Sequence, residues 1–216
     1  MTYIDVGNIA GKIKGVIQAG SHHGQEYGQH IDLGCRKFIY FEPQKDCFDI
    51  LQRNIKDPNV LMFNCGLGKK DQKKVMFKEF ANGGMSSSIL QPAMHLKHYP
   101  HINFPTTEDI SVRALDSVMD EFKIAREDFD YFEIDVQGYE LNVLKGAVRQ
   151  LQYIKYINVE VNDDELYIDC ARVADVDLFL QDFGFKRTKT FWTNEKWGEA
   201  IYEKVDLSIK NIQKEA

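Results

Sequence analysis

One stretch constrains this chain more than any other: Asp130-Tyr131-Phe132-Glu133-Ile134-Asp135, followed by Val136-Gln137-Gly138-Tyr139-Glu140. An apolar-leaning run ends in an acid, a glycine follows, and a helical pattern begins at once. A buried parallel strand hands over to a helix in this way, which holds Asp135 at the strand's carboxyl end. Open α/β sheets bind ligands just outside those ends, where the strand order switches. Asp135 is therefore expected at the centre of an active site.

A second strand–helix unit opens the chain. Residues 16–20 read as a short buried strand running into Ser21-His22-His23-Gly24, with a helix to about Leu33. Backbone N–H groups at such a helix start face a ligand. Gly20, Gly24 and Gly28 do not match the G-x-G-x-x-G spacing that cradles a pyrophosphate. The looser turn suits a ligand carrying no phosphate there, such as the methionine portion of S-adenosylmethionine. Residues 38–41 form the next strand, and Glu42 ends it about 20 residues beyond the turn. Nucleoside-binding sheets place a carboxylate there for the ribose hydroxyls.

Strands and helices then alternate, which predicts a mostly parallel sheet. Helices are expected over 44–54, with Cys47, Leu51 and Ile55 on one face, and over 117–122, with Asp116 as N-cap. After Asp135, Leu141, Leu144, Val148 and Leu151 form a stripe for the core. A last helix over 173–183 is stopped by Gly184. Further strands are expected at 60–65, where Cys65 and Gly66 come near an adenine ring, and at 75–80, 110–115 and 156–162. Residues 185–192 and 199–203 make a closing antiparallel hairpin. Alternation puts Glu160 and Asn162 on one side of their strand.

Between 81 and 107 the pattern breaks into glycines, serines and three prolines, and a lid over the site is expected. His95, His98 and His101 lie three apart there, without the convergence a zinc site needs. Lid or substrate contact is the expected role, for His95 above all. Tyr99, Phe104, Trp192 and Trp197 offer an aromatic surface for an acceptor.

With 216 residues the chain fits a single domain, with 1–14 as an adaptor and 205–216 as a tail. A net charge of -6 gives no general attraction to nucleic acid or an anionic membrane. The four cysteines form no Cys-x-x-Cys pair, so buried free thiols in a reducing compartment are expected. No signal peptide opens the chain and no apolar run approaches the ~18 residues of a membrane span. A cytoplasmic protein is expected.

Five stretches resemble, in order, the FkbM-type methyltransferases: residues 16–24, 85–90, 135–140 with 143–147, 159–162, and 197–200. The resemblance implies a class I methyltransferase fold, Rossmann-like, with a seven-stranded sheet ending in an antiparallel hairpin. It implies S-adenosylmethionine as donor and a hydroxyl of a sugar, glycan or glycosylated natural product as acceptor. Gly20 and Gly24 look like the donor turn, Glu42 the ribose carboxylate and Asp135 the acid beside the transferred methyl. The full set of donor contacts expected is Gly20, Ser21, His22, Gly24, Glu26, Glu42, Pro43, Cys65, Gly66, Ser87 and Asp135. Gln18 and Gln137 stand where many members carry an acid, so this chain lacks a charge at both.

Two routes to methyl transfer stay open. In one, Asp135 or Glu160 is the general base. In the other, Asp135, Glu160 and Asn162 hold a Mg²⁺-like ion that binds an acceptor diol. His95, Asn162 and Trp197 are the expected acceptor contacts. A non-catalytic nucleoside-binding module and a nicotinamide-dependent oxidoreductase are the competing function classes.

Overall fold

The computed structural model describes residues 11–205. Most of the expected adaptor and nearly all of the tail thus lie outside the described residues. Ten strands alternate with six α-helices: β1 (Gly15–Ala19), α1 (Tyr27–Asp32), β2 (Lys37–Phe41), α2 (Lys45–Asn54), β3 (Val60–Phe63), β4 (Gly66–Leu67), β5 (Gln72–Lys78), α3 (Met94–His98), β6 (Thr106–Arg113), α4 (Leu115–Glu121), β7 (Tyr131–Ile134), α5 (Glu140–Lys145), β8 (Tyr156–Asn162), α6 (Val173–Asp182), β9 (Phe185–Trp192) and β10 (Trp197–Lys204).

Seven of the strands form one sheet in the order β3-β2-β1-β7-β8-β10-β9. Pairing is parallel from β3 to β8, and β10 runs antiparallel to both β8 and β9. The order reverses between β1 and β7, so their carboxyl ends form the switch point. Every residue of β1 and β7 is buried, as central parallel strands covered on both faces must be.

The larger core joins one face of the sheet to α4, α5 and α6 through Phe132, Val143, Leu144, Ile157 and Leu180. The other face packs Val16, Phe38 and Tyr40 against Leu33, Phe48 and Leu51. Cys47, Leu51 and Ile55 are buried together, as their spacing predicts. All four cysteines are free and buried.

Several expectations need correction. The strands expected at 75–80 and 110–115 leave the main sheet: β5 pairs antiparallel with β6, and β4 completes a separate three-stranded sheet. The helix expected after residues 21–26 stands as expected, over Tyr27–Asp32, and two tight turns precede it. Asp116 is not the N-cap of α4, because that helix starts one residue before it. Its carboxylate instead accepts N–H bonds from Arg149 and Gln150 and one from the Arg126 guanidinium. Val148 is 39% exposed rather than part of the core stripe. The helix ends at Lys145, so the register of the stripe is lost there, and the close approach of the Gly68 carbonyl leaves room only for glycine at 146.

Candidate active site

The switch point is built by backbone. Gly20 has φ +84°, a conformation L side chains rarely adopt, and its N–H and that of Ser21 both donate to the Phe41 carbonyl. Asp135 is tied to the same edge by its N–H to the Ala19 carbonyl, at 3.0 Å. From the turn, His22 N–H donates to Glu42 Oε2 at 2.8 Å, and Gln44 N–H donates to Oε1 at 2.8 Å. Glu42 is therefore fixed at both oxygens, each with a lone pair to spare. Burial raises its pKa to about 7 against those two donors.

Asp135 sits in a second backbone-built turn. Gln137 (φ 56°) and Gly138 (φ 98°) take left-handed conformations, and Glu140 Oε1 accepts the N–H groups of Val136 and Gly138. This turn swings the Gln137 side chain back over the strand ends. Its Nε2 donates to Asp135 Oδ1 at 2.7 Å and to Glu160 Oε2 at 3.0 Å. Tyr167 Oη donates to Gln137 Oε1 at 2.9 Å, and Ser88 Oγ donates to the Gln137 carbonyl at 2.6 Å. Gln137 is thus a fixed bridge between two carboxylates.

Both carboxylates are pushed up by burial. Asp135 is raised further by Glu133, while hydrogen bonds from Gln137 and Glu160 draw it down. Glu160 is pushed well above the usual range, with Asp135, Glu140 and Glu199 adding to the burial effect. Neighbouring carboxylates cannot both ionise cheaply, so Asp135 adds to the burial that raises Glu160, the more strongly raised of the two.

A cavity of about 480 Å³ joins these groups. Gly20, His22, Glu26, Glu42, Pro43 and Gly66 line it. Ser87, His95, Asp135, Glu160 and Trp197 also line it. Four expected contacts do not. Ser21 is fully buried, with its hydroxyl donating to the Gln18 carbonyl. A Cβ on Gly24 would meet Ile55 and Leu51, so that glycine serves the packing of the turn on α2. Cys65 belongs to the core, and Asn162 is fully buried behind the lining with both amide atoms unpartnered. Of the four aromatics, Tyr99 and Trp197 reach the cavity, Phe104 packs on His95 behind it, and Trp192 is 44% exposed.

Residues 18–187 match the model of the methyltransferase FkbM domain. The chain belongs to that family. A stretch of 83 residues is 35% identical to the 2-O-methyltransferase NoeI of Sinorhizobium fredii. That match covers 38% of this chain and 33% of NoeI, so the chain spans about a third of the curated relative's length. Among solved structures, the fold is similar to Streptococcus pneumoniae Sp1610, a proposed tRNA methyltransferase in complex with S-adenosyl-L-methionine. The TM-score is 0.50 at 12% identity, covering 96% of this chain and 74% of the other. A Streptococcus agalactiae protein of the NADB-Rossmann superfamily gives 0.52 at 12% identity, covering 96% and 70%. These likenesses establish the class I methyltransferase fold, with its seven-stranded sheet and closing hairpin.

Family membership supports S-adenosylmethionine as the ligand of this cavity, and the residues fit it. Glu42 offers two fixed oxygens to a diol. Five acidic side chains (Glu26, Glu42, Asp135, Glu160 and Glu199) and no Lys or Arg line the described cavity, and a bound sulfonium cation would favour their ionised forms. A divalent cation on Asp135, Glu160 and Asn162 does not fit. The Gln137 amide already joins the two carboxylates, and Asn162 does not reach the cavity. Among the described residues, the three ligand groups that do converge are His22, His23 and Cys47. Both ring nitrogens of His22 are taken there, by Gln25 and the Gly83 carbonyl.

Gln137 and Glu199 are the cavity-lining residues that local spacing points to least. Glu199 reaches the site because β10 pairs it directly with Glu160, a contact between strands far apart in sequence. Its neighbour in the Trp197-Gly198-Glu199-Ala200 stretch, Trp197, was the signal available.

Proposed function

We propose that this chain is an S-adenosylmethionine-dependent O-methyltransferase whose acceptor is a hydroxyl of a sugar, glycan or glycosylated natural product. The observation that carries the reading is the Asp135–Gln137–Glu160 bridge at the switch point, one residue beyond the strand that ends beside Gly20. Family membership and the 2-O-methyltransferase relative support methyl transfer to oxygen.

In the proposed reaction Glu42 holds the ribose diol, while the Gly20–His22 turn and Glu26 receive the methionine end. The acceptor oxygen attacks the methyl carbon, the carbon–sulfur bond breaks, and the donor leaves as a neutral thioether. Asp135, which accepts a hydrogen bond from Gln137 Nε2, takes the hydroxyl proton. Such a base contributes about 10²–10⁴ in rate, and holding the two reactants in line contributes more. The lid role of residues 81–107 fits this scheme, since Ser88 ties that segment to the Gln137 backbone. The acceptor is a small molecule rather than nucleic acid, a reading supported by the acidic lining. No helix of the described residues is long and apolar enough to cross a membrane.

The test is an incubation with methyl-labelled S-adenosylmethionine over a panel of glycosides, read by the mass shift of one methyl. Label on at least one glycoside hydroxyl is expected. Label passing only to an amine or to RNA would sink the reading.

A further inference from the structure

The turn over residues 82–88 is tied down by the same two residues that hold Glu42. His22 and Gln44 each place a backbone N–H on one of the Glu42 carboxylate oxygens. Each also places its side chain on the turn. His22 Nε2 donates to the Gly83 carbonyl at 2.8 Å, and Gln44 Nε2 donates to the Gly84 carbonyl at 3.0 Å. Two successive carbonyls of the turn are thus linked, through two residues, to one carboxylate.

The contact is close at Gly84, which has φ +92°: a Cβ there would lie 2.8 Å from Gln44 Oε1. Little else holds the tip, since Ala81, Asn82, Gly83 and Met85 are exposed. A segment with few buried apolar contacts opens readily unless hydrogen bonds close it. Next to the tip, the buried Glu79 carboxylate accepts the N–H groups of Asn82 and Ser86, which makes the turn one hydrogen-bonded piece. At its far end Ser88 Oγ donates to the carbonyl of Gln137, the residue whose amide joins Asp135 to Glu160. Asn82, Gly84, Met85, Ser86 and Ser87 line the cavity together with Glu42.

We infer that Gln44, with His22, is a positioning residue that clasps this turn over the bound donor, so that donor binding orders the turn and the turn steadies Gln137. A ribose diol bonded to Glu42 fixes the carboxylate, the carboxylate fixes the N–H groups of residues 22 and 44, and their side chains fix the turn. The inference rests on reading Glu42 as the ribose acid.

The probe is S-adenosylhomocysteine, and the measurement is amide hydrogen exchange across residues 82–88 of the full chain, with the probe absent and saturating. In the native chain exchange there is expected to slow at least about fivefold on binding, as closing one or two hydrogen bonds would do. Gln44→Met keeps the length of the side chain and the N–H to Glu42 but removes the donor to Gly84. The slowing is expected to drop below about twofold in that variant, and S-adenosylhomocysteine affinity to weaken by no more than about fivefold, because coupling is reciprocal. Gly84→Ala disturbs the same contact from the turn, with residue 44 intact, and is expected to lose the slowing as well. Native exchange, full slowing in Gln44→Met, or no slowing in the native chain at saturation would tell the readings apart as follows. Native exchange rates in β2 and α2 of both variants are expected, since only the turn is released. Faster exchange throughout β2 and α2, with and without probe, would make Gln44 a structural residue and overturn the inference. Full slowing in Gln44→Met, or none in the native chain at saturation, would also overturn it and leave the donor reading standing. If S-adenosylhomocysteine failed to bind the native chain, the donor reading would fall and the clasp with it.

Discussion

A Cβ placed on Gly20 would lie 1.8 Å from the carbonyl oxygen of Asp135. The proposed donor turn and the proposed base are thus in backbone contact across the switch point. Gly20→Ala must either move Asp135 or open β1 from β7, and the left-handed φ adds about 1–2 kcal/mol of its own. A loss of more than about 2 kcal/mol in unfolding free energy is expected, together with loss of donor binding. Denaturant melts and calorimetry with S-adenosylhomocysteine would show it. Native-like values for both would mean that the two strand ends are less closely packed than described.

Asp135→Asn keeps the shape of the side chain and removes the base. Turnover is expected to fall by about 10²–10⁴ while S-adenosylhomocysteine affinity changes little. In the native enzyme the acid limb of the rate profile should lie above the ordinary carboxylate range, because burial raises Asp135. Activity then rises with pH as Asp135 ionises. A variant that turns over at the native rate would exclude the base role, and one that never turned over in its native form would favour the inert nucleoside-binding module.

Stability should run the opposite way with pH. Glu199 is raised to about 8, and Glu42 and Glu140 to about 7, each chiefly by burial. A folded pKa above the unfolded value means that folding favours the protonated form. That stability is fully present below the unfolded value of 4.5 and is lost as pH rises through about 7 to 8. The melting temperature of the donor-free chain is therefore expected to fall across this window. Glu199→Gln, which cannot ionise, should flatten the fall. An unchanged slope in that variant would place the titrating groups elsewhere.

The parts of this site that could be read from the chain are those set by local order. Gly20, Glu42 and Asp135 each terminate a strand, so strand–turn–helix punctuation was enough to locate them. Gly24 and Ser21 share that punctuation but turn inward, because the segment 21–26 coils before α1 begins. The positions of β5 and β6 show a different limit. Alternation identifies a strand but not its partner, and these two pair with each other off the main sheet. Gln137 is the clearest case of a role that spacing cannot reveal. Its work depends on a left-handed backbone at φ 56° and on Tyr167, thirty residues away along the chain.

Gln137 also decides the metal question in advance. A cation shared by Asp135 and Glu160 would need the space and the lone pairs that the Gln137 amide now uses. Hard cations take six or more oxygen ligands, and the third expected ligand, Asn162, lies outside the cavity lining. Turnover is therefore expected to be unchanged by a strong chelator and by added Mg²⁺. Gln137→Ala is expected to lower turnover by about tenfold or more, because the two carboxylates lose their common donor and Asp135 is pushed further up. If chelation abolished native turnover and Mg²⁺ restored it, the amide bridge would have to open during the reaction, and Asp135 would be a ligand rather than the base.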